Sequence, residues 1–321
     1  MARRTMIPSA AFALSTLAAC FFLAAQPHPP AARAASTATA HASSARIPVF
    51  VSIVPQAYFV ERVGGDLVDV EVLVGPGQSP HTYEPTPRQV ARIARARVYF
   101  TIGVPLEKGL VPKLARSFPG LSIVDTTSGI RFIPMDRRHE HPRTQAGGQG
   151  HDHGGYDPHV WLDPGRVKIQ ASNICDALVR VDPAHAGVYR ANLSAFLDDL
   201  DALDRELKEV FAPMKGSKVY VFHPAFGYLA QAYGFEQVAV EEEGKDPGAR
   251  KVARLIAEAK AQGVRVIFVQ PQFSAKKAQA IAERIGGAVV AIDPLPRDYL
   301  AQMRSLGRAV RDGVSGGRAG K

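Results

Sequence analysis

The sequence contains only two cysteines, Cys20 and Cys175, among its 321 residues. Cys20 lies in an apolar N-terminal run, so the rest of the chain has a single thiol and cannot form an internal disulfide. Cys175 falls in the apolar periodic stretch from Val167 to Val181, where we interpret it as a small buried core residue rather than a metal ligand.

Acidic residues are absent from the first 46 positions, which carry four arginines. Of the 39 Lys and Arg in the chain, 35 therefore lie in the remainder, where they face 30 Asp and Glu. This dispersed excess of five positive charges does not support nucleic-acid binding. The sequence also lacks a Walker-type lysine loop and an RNA-binding signature, which argues against a nucleotide-dependent enzyme and an RNA-binding module.

The N-terminus has the pattern of an export signal. Arg3 and Arg4 precede an apolar, small-residue-rich run from Ile7 to Ala25, and this run is too short to favour a membrane-spanning helix. We predict a signal peptide over 1–25 and a Pro/Ala/Ser linker over 26–46. Two cleavage sites remain open, a lipobox-like LAAC that would make Cys20 a lipidated residue and an A-x-A pattern at 32–34. Both predict a location in the periplasm or on the outer face of the cytoplasmic membrane.

The remainder alternates short apolar runs with helical periods, beginning with PVFVSIV, PQAYFVERV and VDVEVLV. Strands that alternate with helices predict parallel βαβ units, and the alternation starts again at SKVYVF. We therefore predict an α/β protein of two lobes with parallel sheets, each a (β/α)4 unit. The expected ranges are 47–181 for the first lobe, 214–313 for the second lobe and 314–321 for a flexible tail.

One long helix is predicted between the lobes, over 182–213. Its apolar residues recur at spacings of four and three, and they form a single stripe. They are Tyr189, Leu193, Phe196, Leu200, Leu203, Leu207 and Val210. A helix from about Pro183 to Ala212 would be roughly 45 Å long. A coiled-coil dimer could use the same stripe, but we favour a stiff connector that packs along both lobes of a monomer and allows little hinge opening.

Three histidines and one aspartate occupy positions where α/β proteins bind ligands. His81 follows VDVEVLV through a Gly/Pro-rich turn, His223 follows KVYVF, and Asp293 follows AVVAI. Ligands bind beyond the carboxyl ends of parallel strands. His159 lies in a comparable turn, between a histidine-rich segment and a helix that begins near Pro164. Histidine nitrogens with one carboxylate oxygen suit Zn²⁺. We predict that these four side chains form a metal site in the interlobe cleft.

A second group of histidines lies in the glycine-rich segment 134–158. His139, His141, His151 and His153 alternate there with acidic residues, which is typical of a solvated loop with some affinity for metal ions. An auxiliary metal-gathering role is our hypothesis. A further hypothesis is that metal binding orders this loop and the turn at His159, which equal proteolysis of the loop with and without zinc would contradict.

The segments SPHTYEPTPRQV, DPHVWLDP, VFHPAFGYLAQAYG and FVQPQFSAKKAQAIAERIGGAVVAIDPL resemble the zinc/manganese solute-binding proteins of bacterial ABC importers, the cluster A-I or ZnuA-type family. The resemblance covers roughly 47–311. It implies two (β/α)4 lobes joined by one helix, and it implies His81, His159 and His223 as histidine ligands with Asp293 as the carboxylate. Histidine at the third position, where manganese-selective relatives usually carry Glu, is similar to the zinc branch.

The sequence departs from the family pattern at several positions. Pro80 stands where many relatives have an acidic residue before the first histidine, so an accessory carboxylate is lost. It thus remains open whether Asp293 or a water completes the coordination. The acidic run from Glu241 to Glu243 fills a segment at the cleft edge, and we interpret it as solvated or, at most, as support for the ligands.

The resemblance implies a carrier that delivers Zn²⁺, or alternatively Mn²⁺, to a membrane permease with a cytoplasmic ATPase. Because protonated imidazoles do not bind metal, we expect binding to weaken as the pH falls through about 6.5. Two other classes of function stay open. A zinc hydrolase could use the same ligands, although the sequence has no HExxH motif and no evident general base. A surface adhesin could use the same fold.

Overall fold

The strands and helices alternate as the sequence predicts. A computed structural model of the chain describes residues 46–134, 155–241 and 247–318, and these described residues belong to one compact unit. The first lobe contains β1 (Ile47–Ile53), α1 (Val54–Gly64), β2 (Val68–Val74), α2 (Pro87–Ile93), β3 (Val98–Thr101), α3 (Pro105–Ser117), β4 (Ser122–Asp125) and α4 (Pro164–Val181). After the long helix α5 (Ala186–Phe211), the second lobe contains β5 (Lys218–Val221), α6 (Gly227–Tyr233), β6 (Glu236–Ala239), α7 (Ala249–Ala261), β7 (Val266–Val269), α8 (Ala275–Ile285), β8 (Ala288–Ala291) and α9 (Tyr299–Arg318).

Each lobe has a four-stranded parallel sheet. The strand orders are β2-β1-β3-β4 and β6-β5-β7-β8, so the two sheets have the same topology. In both sheets the chain changes direction between the first and third strands of the lobe. In α/β proteins, ligands bind outside the carboxyl ends of the strands at such a switch point. The predicted α/β architecture of two (β/α)4 lobes is confirmed.

The long helix is present and packs along both lobes. Short 3₁₀ turns at Pro183–His185 and Ala212–Met214 extend α5 at its two ends. The predicted stripe is buried at five of its seven positions, where side chains from both lobes join it in one core. They are Tyr189, Phe196, Leu200, Leu203 and Leu207. Burial of this stripe stabilises the arrangement of the lobes, because opening the cleft would expose apolar surface to water.

The last helix is longer than the sequence pattern predicts. The sequence predicts a flexible tail over 314–321, but α9 continues to Arg318. Two glycines explain why this glycine-rich segment packs well. A Cβ on Gly307 would lie 2.9 Å from Leu207 on α5, and a Cβ on Gly313 would lie 2.8 Å from Phe268 on β7. The helix therefore approaches α5 and β7 closely because these residues lack side chains.

Within the described ranges, no helix has the length and apolar composition that crossing a membrane requires. Cys175 lies on α4 and is 2% exposed, as expected for a small core residue. The predicted signal peptide, the linker and Cys20 lie outside the described residues.

Candidate metal centre

Three imidazoles meet where the carboxyl ends of the two sheets face each other. His81 lies in the turn that follows β2, His159 precedes the 3₁₀ turn Val160–Leu162 before α4, and His223 lies two residues after β5. The Nε2 atom of His81 is 3.2 Å from that of His159 and 3.2 Å from that of His223. The Nε2 atoms of His159 and His223 are 3.3 Å apart. Residues separated by up to 142 positions thus point one nitrogen each at a common centre.

The size of this nitrogen triangle fits a tetrahedral metal ion. Zn–N bonds of about 2.0–2.1 Å at tetrahedral angles place two ligand nitrogens about 3.3–3.4 Å apart. The three observed separations of 3.2, 3.2 and 3.3 Å are close to this value. Among the described residues, these histidines form the group of possible ligand atoms that all lie within 4.8 Å of one another.

His159 is held by the carboxylate of Asp157. The Asp157 Oδ1 atom accepts hydrogen bonds from the backbone N–H of His159 at 2.9 Å and from its Nδ1 at 2.7 Å. A carboxylate acceptor requires the proton to lie on Nδ1, so the lone pair of Nε2 points towards the centre. Trp161 contacts the His159 ring at 5.2 Å between centroids, and its Nε1 donates to the carbonyl of Pro294. The imidazole is consequently 2% exposed and anchored to both lobes.

His223 is held in the same way by residues of the second lobe. Glu241 Oε1 accepts a hydrogen bond from its Nδ1 at 2.5 Å. Gln270, directly after β7, accepts from the backbone N–H of His223 at 3.1 Å and donates to its carbonyl at 2.7 Å. The ring also stacks on Phe273, with centroids 4.7 Å apart and an angle of 22° between the planes. Backbone, tautomer and ring plane of His223 are therefore all restrained.

His81 has fewer restraints. It is only partly buried, and its backbone N–H donates to Ser79 Oγ at 3.3 Å within the same turn. Among the described residues, no carboxylate is hydrogen-bonded to the His81 ring. The turn hydrogen bonds from Gln78 to Gly75 and from Thr82 to Ser79 also remain local. The position of this imidazole thus depends mainly on the conformation of its own turn.

Burial lowers the pKa of His81 and His223. Burial, followed by the neighbouring His159 and His223, lowers the pKa of His81 to about 2. Burial also lowers the pKa of His223, although the hydrogen bond with Glu241 opposes the change. The expected weakening of metal binding near pH 6.5 used the ordinary imidazole value. For His81 and His223, competition from protons is shifted to a lower pH.

Asp293, the fourth residue of the predicted site, is not part of this cluster. It follows β8 as expected, but it is exposed. Its Oδ1 accepts hydrogen bonds from Gln272 Nε2 and from the backbone N–H of Leu295, both at 2.9 Å. These bonds direct the carboxylate to the turn around Pro294. The structure therefore brings together the three predicted histidines without Asp293.

The histidine-rich segment enters and leaves the fold beside the site. His139, His141, His151 and His153 lie outside the described residues. The flanking residues Pro134 and Tyr156 form an antiparallel bridge, and the Asp157 N–H donates to the carbonyl of Ile133 at 3.0 Å. The base of the segment is thus adjacent to the carboxylate that holds His159.

Sequence reasoning missed Asp157 and Gln270. Glu241 is 4% exposed and bonded to His223, so it supports a candidate ligand and is not solvated, and only the second of its two interpretations agrees with the structure. Glu242 and Glu243 lie outside the described residues. The signal for Asp157 was available, since an Asp two residues before a ligand can bond back to the chain as an Asx turn. Glu241 and Gln270 have no such local signal, because they reach His223 from neighbouring strands of the sheet.

A family model described as zinc-uptake complex component A, periplasmic (ZnuA), matches residues 49–313. A solved structure of ZnuA is 36% identical, with a TM-score of 0.76, and the match covers 83% of this chain and 98% of that one. The Zn(II)-bound AdcA of Streptococcus pneumoniae is 25% identical, with a TM-score of 0.69, and the match covers 84% of this chain and 58% of that one.

Among curated proteins, the zinc-binding protein AdcA of Streptococcus pyogenes serotype M3 is 27% identical over 282 residues. The match covers 81% of this chain and 54% of AdcA. The chain thus spans about half the length of the AdcA relatives that it matches. Residues 49–313 contain all three clustered histidines, so the matched region includes the whole cluster.

Proposed function

Because the chain belongs to the zinc-uptake complex component A (ZnuA) family, we propose that it is the extracytoplasmic zinc-binding component of an ABC importer. The observation that carries this proposal is the triangle of Nε2 atoms, with sides of 3.2, 3.2 and 3.3 Å. In this function the protein captures Zn²⁺ and delivers it to a membrane permease that a cytoplasmic ATPase energises.

The proposed ligands are the Nε2 atoms of His81, His159 and His223. Zn²⁺ prefers four ligands in tetrahedral geometry, so one position remains beyond the three nitrogens. We assign this position to water, because His81 leaves one side of the cluster partly exposed and Asp293 is bonded elsewhere. The carboxylate of Asp293 is therefore a turn residue in our proposal, not a ligand.

The chemistry of the donor atoms favours Zn²⁺ over Mn²⁺. Imidazole nitrogen suits zinc, whereas manganese prefers carboxylate and water oxygens. The two buried carboxylates beside the site, those of Asp157 and Glu241, are hydrogen-bonded to imidazole nitrogens. Mn²⁺ is the alternative cargo, and it would have to bind here to three nitrogens without a carboxylate from the cluster.

The hydrogen bonds between Asp157 and His159 and between Glu241 and His223 support a carrier rather than a hydrolase. A zinc hydrolase needs a general base that can take a proton from the metal-bound water. Asp157 and Glu241 are the buried acids that are hydrogen-bonded to the imidazoles, and the carboxylate of each already accepts a hydrogen bond from a histidine Nδ1. Within the described part of the chain, no feature favours the hydrolase or the adhesin alternative, and we propose that the protein is not an enzyme.

The proposal includes location and partners. Export would be directed by residues 1–25, with lipidation at Cys20 as one of the two cleavage alternatives. The permease would contact the two lobes of a monomer, since the apolar stripe of α5 is already covered by the protein's own core. The histidine-rich loop with His139, His141, His151 and His153 would gather metal near the base formed by Pro134 and Tyr156.

Competition titration tests the proposed function. Metal-free protein is mixed with Zn²⁺ and a chromophoric chelator, and bound zinc is counted by elemental mass spectrometry. We expect one tightly bound zinc per chain in a variant that lacks 139–153, and loss of this zinc in His223→Ala. His185→Ala is the matched control, because His185 bonds to Asp182 outside the cluster and should not affect binding. A wild-type protein without stoichiometric zinc would overturn the proposal.

A further inference from the structure

The three proposed ligands are held in two different ways. His159 and His223 each donate Nδ1–H to a buried carboxylate, at 2.7 and 2.5 Å. These carboxylates belong to Asp157 and Glu241, which are 3% and 4% exposed. His81 is partly buried, and among the described residues its ring has only the other two imidazoles as hydrogen-bonding neighbours.

The Asp157 carboxylate is a rigid support because its backbone is bonded on both sides. Its N–H donates to the carbonyl of Ile133 at 3.0 Å, and its carbonyl accepts from Tyr228 Oη at 2.7 Å. Gly227 lies against the carboxylate, where a Cβ would be 2.4 Å from Oδ2. The carboxylate therefore has little room to turn away from His159.

The Glu241 carboxylate has a comparable support in the second lobe. Its backbone N–H donates to the carbonyl of Phe222 at 3.0 Å, and its carbonyl accepts from Lys251 Nζ at 2.6 Å. Phe222 directly precedes His223 in the sequence. The backbone of Glu241 is thus fixed beside the residue whose ring its side chain holds.

The turn that carries His81 is less restrained than the segments that hold His159 and His223. Its hydrogen bonds join Gln78 to Gly75 and Thr82 to Ser79, all within the turn, and Pro76, Gly77 and Gln78 are exposed. Pro80 is buried and Tyr83 packs against the core, whereas this exposed stretch before them has only local hydrogen bonds. Such segments open at a lower free-energy cost than buried ones.

From this contrast we propose that Asp157 and Glu241 are positioning residues that hold His159 and His223 as a two-nitrogen anchor, while His81 binds the metal last and releases it first. This inference rests on the proposed zinc-carrier function. An anchor that is already oriented binds without losing further side-chain freedom. A third ligand on a movable turn completes the site, and its departure leaves a weakly held ion that a permease can take.

The positioning role is tested with Asp157→Asn and Glu241→Gln. Each amide keeps the size of the side chain but can also donate to Nδ1, which stabilises the tautomer whose Nε2 carries a proton. We expect each variant to lose roughly 10- to 100-fold in zinc affinity. Asp182→Asn is the matched control, since Asp182 holds His185 Nδ1 at the same 2.7 Å distance away from the site. Wild-type affinity in both variants would overturn the positioning role.

A spectroscopic measurement separates orientation from general damage to the fold. Co²⁺ in a tetrahedral site absorbs visible light strongly, so its spectrum reports the geometry of the ligands. We expect the spectrum of the Co²⁺-loaded protein to change in Asp157→Asn and Glu241→Gln while their metal-free thermal stability stays near the wild-type value. A spectrum unchanged in both variants would contradict the proposal, and if one variant does not fold, the other decides.

The order of binding is tested by stopped-flow kinetics with His81→Ala. Removing the last ligand should increase the zinc dissociation rate, while the association rate changes less than twofold, because the anchor makes the first contact. An association rate that falls with an unchanged dissociation rate would overturn the order. Absence of zinc binding in the wild-type protein would defeat the proposed function itself. Zinc binding that is lost in His223→Ala but unchanged in Asp157→Asn and Glu241→Gln would defeat this inference alone.

Discussion

His223 and His81 are placed by different parts of the molecule, although their Nε2 atoms are only 3.2 Å apart. His223 follows a strand of the second sheet, and Gln270, Glu241 and Phe273 restrain its backbone and ring. His81 lies on a turn of the first lobe that is bonded mainly to itself. A carrier must hold its ion and later give it up. In the proposed carrier, this difference makes retention of the ion depend on His223 and its release depend on the turn of His81.

The largest effect should come from removing the anchored ligand. Structural zinc sites are worth about 10–16 kcal/mol over four ligands, which is about 2.5–4 kcal/mol per ligand, or roughly 100- to 1,000-fold. We expect His223→Ala to lower zinc affinity by about this factor, and by more than His81→Ala does. Competition titration measures both. A larger loss in His81→Ala would reverse the comparison.

Removing the backbone support of His223 should have the next largest effect. Gln270→Leu keeps the size of a buried side chain but leaves the N–H and carbonyl of His223 without their partners. Each unpaired buried polar group costs about 1–3 kcal/mol, so the two together should cost about 2–6 kcal/mol of stability. We expect up to about tenfold weaker zinc binding. Chemical denaturation and competition titration measure these changes.

The control for Gln270→Leu is Gln279→Leu, because Gln279 is exposed on α8. Gln279→Leu should change neither the stability nor the zinc affinity appreciably. Equal effects of the two substitutions would show that the bonds to His223 do not support the site.

Loosening the turn of His81 should have a smaller effect. Pro80 is buried and directly precedes His81, so it restricts the backbone of the turn. Replacing a proline by a more flexible residue usually changes conformational free energy by about 0.4–1 kcal/mol, which corresponds to about 2- to 5-fold. We expect Pro80→Gly to weaken zinc binding by this factor through faster dissociation. Slower association as the sole change, measured by stopped-flow, would count against a movable turn.

The pH dependence of stability should distinguish the buried His81 ring from an ordinary imidazole. The pKa of His81 is lowered to about 2 in the folded protein, so below the ordinary pKa of about 6.5 the unfolded chain binds more protons. The metal-free protein therefore loses stability as the pH falls below that value. We expect the melting temperature of His81→Ala, relative to wild type, to rise from pH 7.5 to pH 5. A constant difference would show that His81 titrates normally.

The smallest effect should come from Asp293. Its carboxylate bonds to Gln272 and Leu295 rather than joining the imidazoles. We expect Asp293→Ala to change zinc affinity less than about twofold, because a turn residue outside the coordination contributes little to binding. A tenfold or greater loss in the same titration would make Asp293 a ligand.

The sequence was sufficient to predict the two parallel sheets and the long helix. Both follow from periodic apolar patterns, which depend only on which faces are buried. The placement of His81 and His223 at strand ends also followed from the chain order. The direction of a side chain could not be predicted in this way. Asp293 also follows a strand, as His223 does, and yet its carboxylate bonds to its own turn.

The supports of the site could not be predicted from sequence spacing. Glu241 and Gln270 meet His223 across separations of 18 and 47 residues, because the strands before all three residues are neighbours in one sheet. The end of α9 was also missed. Glycine usually predicts the end of a helix, but Gly307 and Gly313 face α5 and β7, where close packing requires a residue without a side chain.

Anomalous diffraction at the zinc absorption edge would test the central claim most directly. The crystals should contain the zinc-loaded variant that lacks residues 139–153, because this deletion excludes zinc bound by the second group of histidines. We predict one strong anomalous peak about 2.0–2.1 Å from the Nε2 atoms of His81, His159 and His223, with a water in the fourth position. A peak that lies elsewhere, or that contacts fewer than three of these nitrogens, would contradict the account.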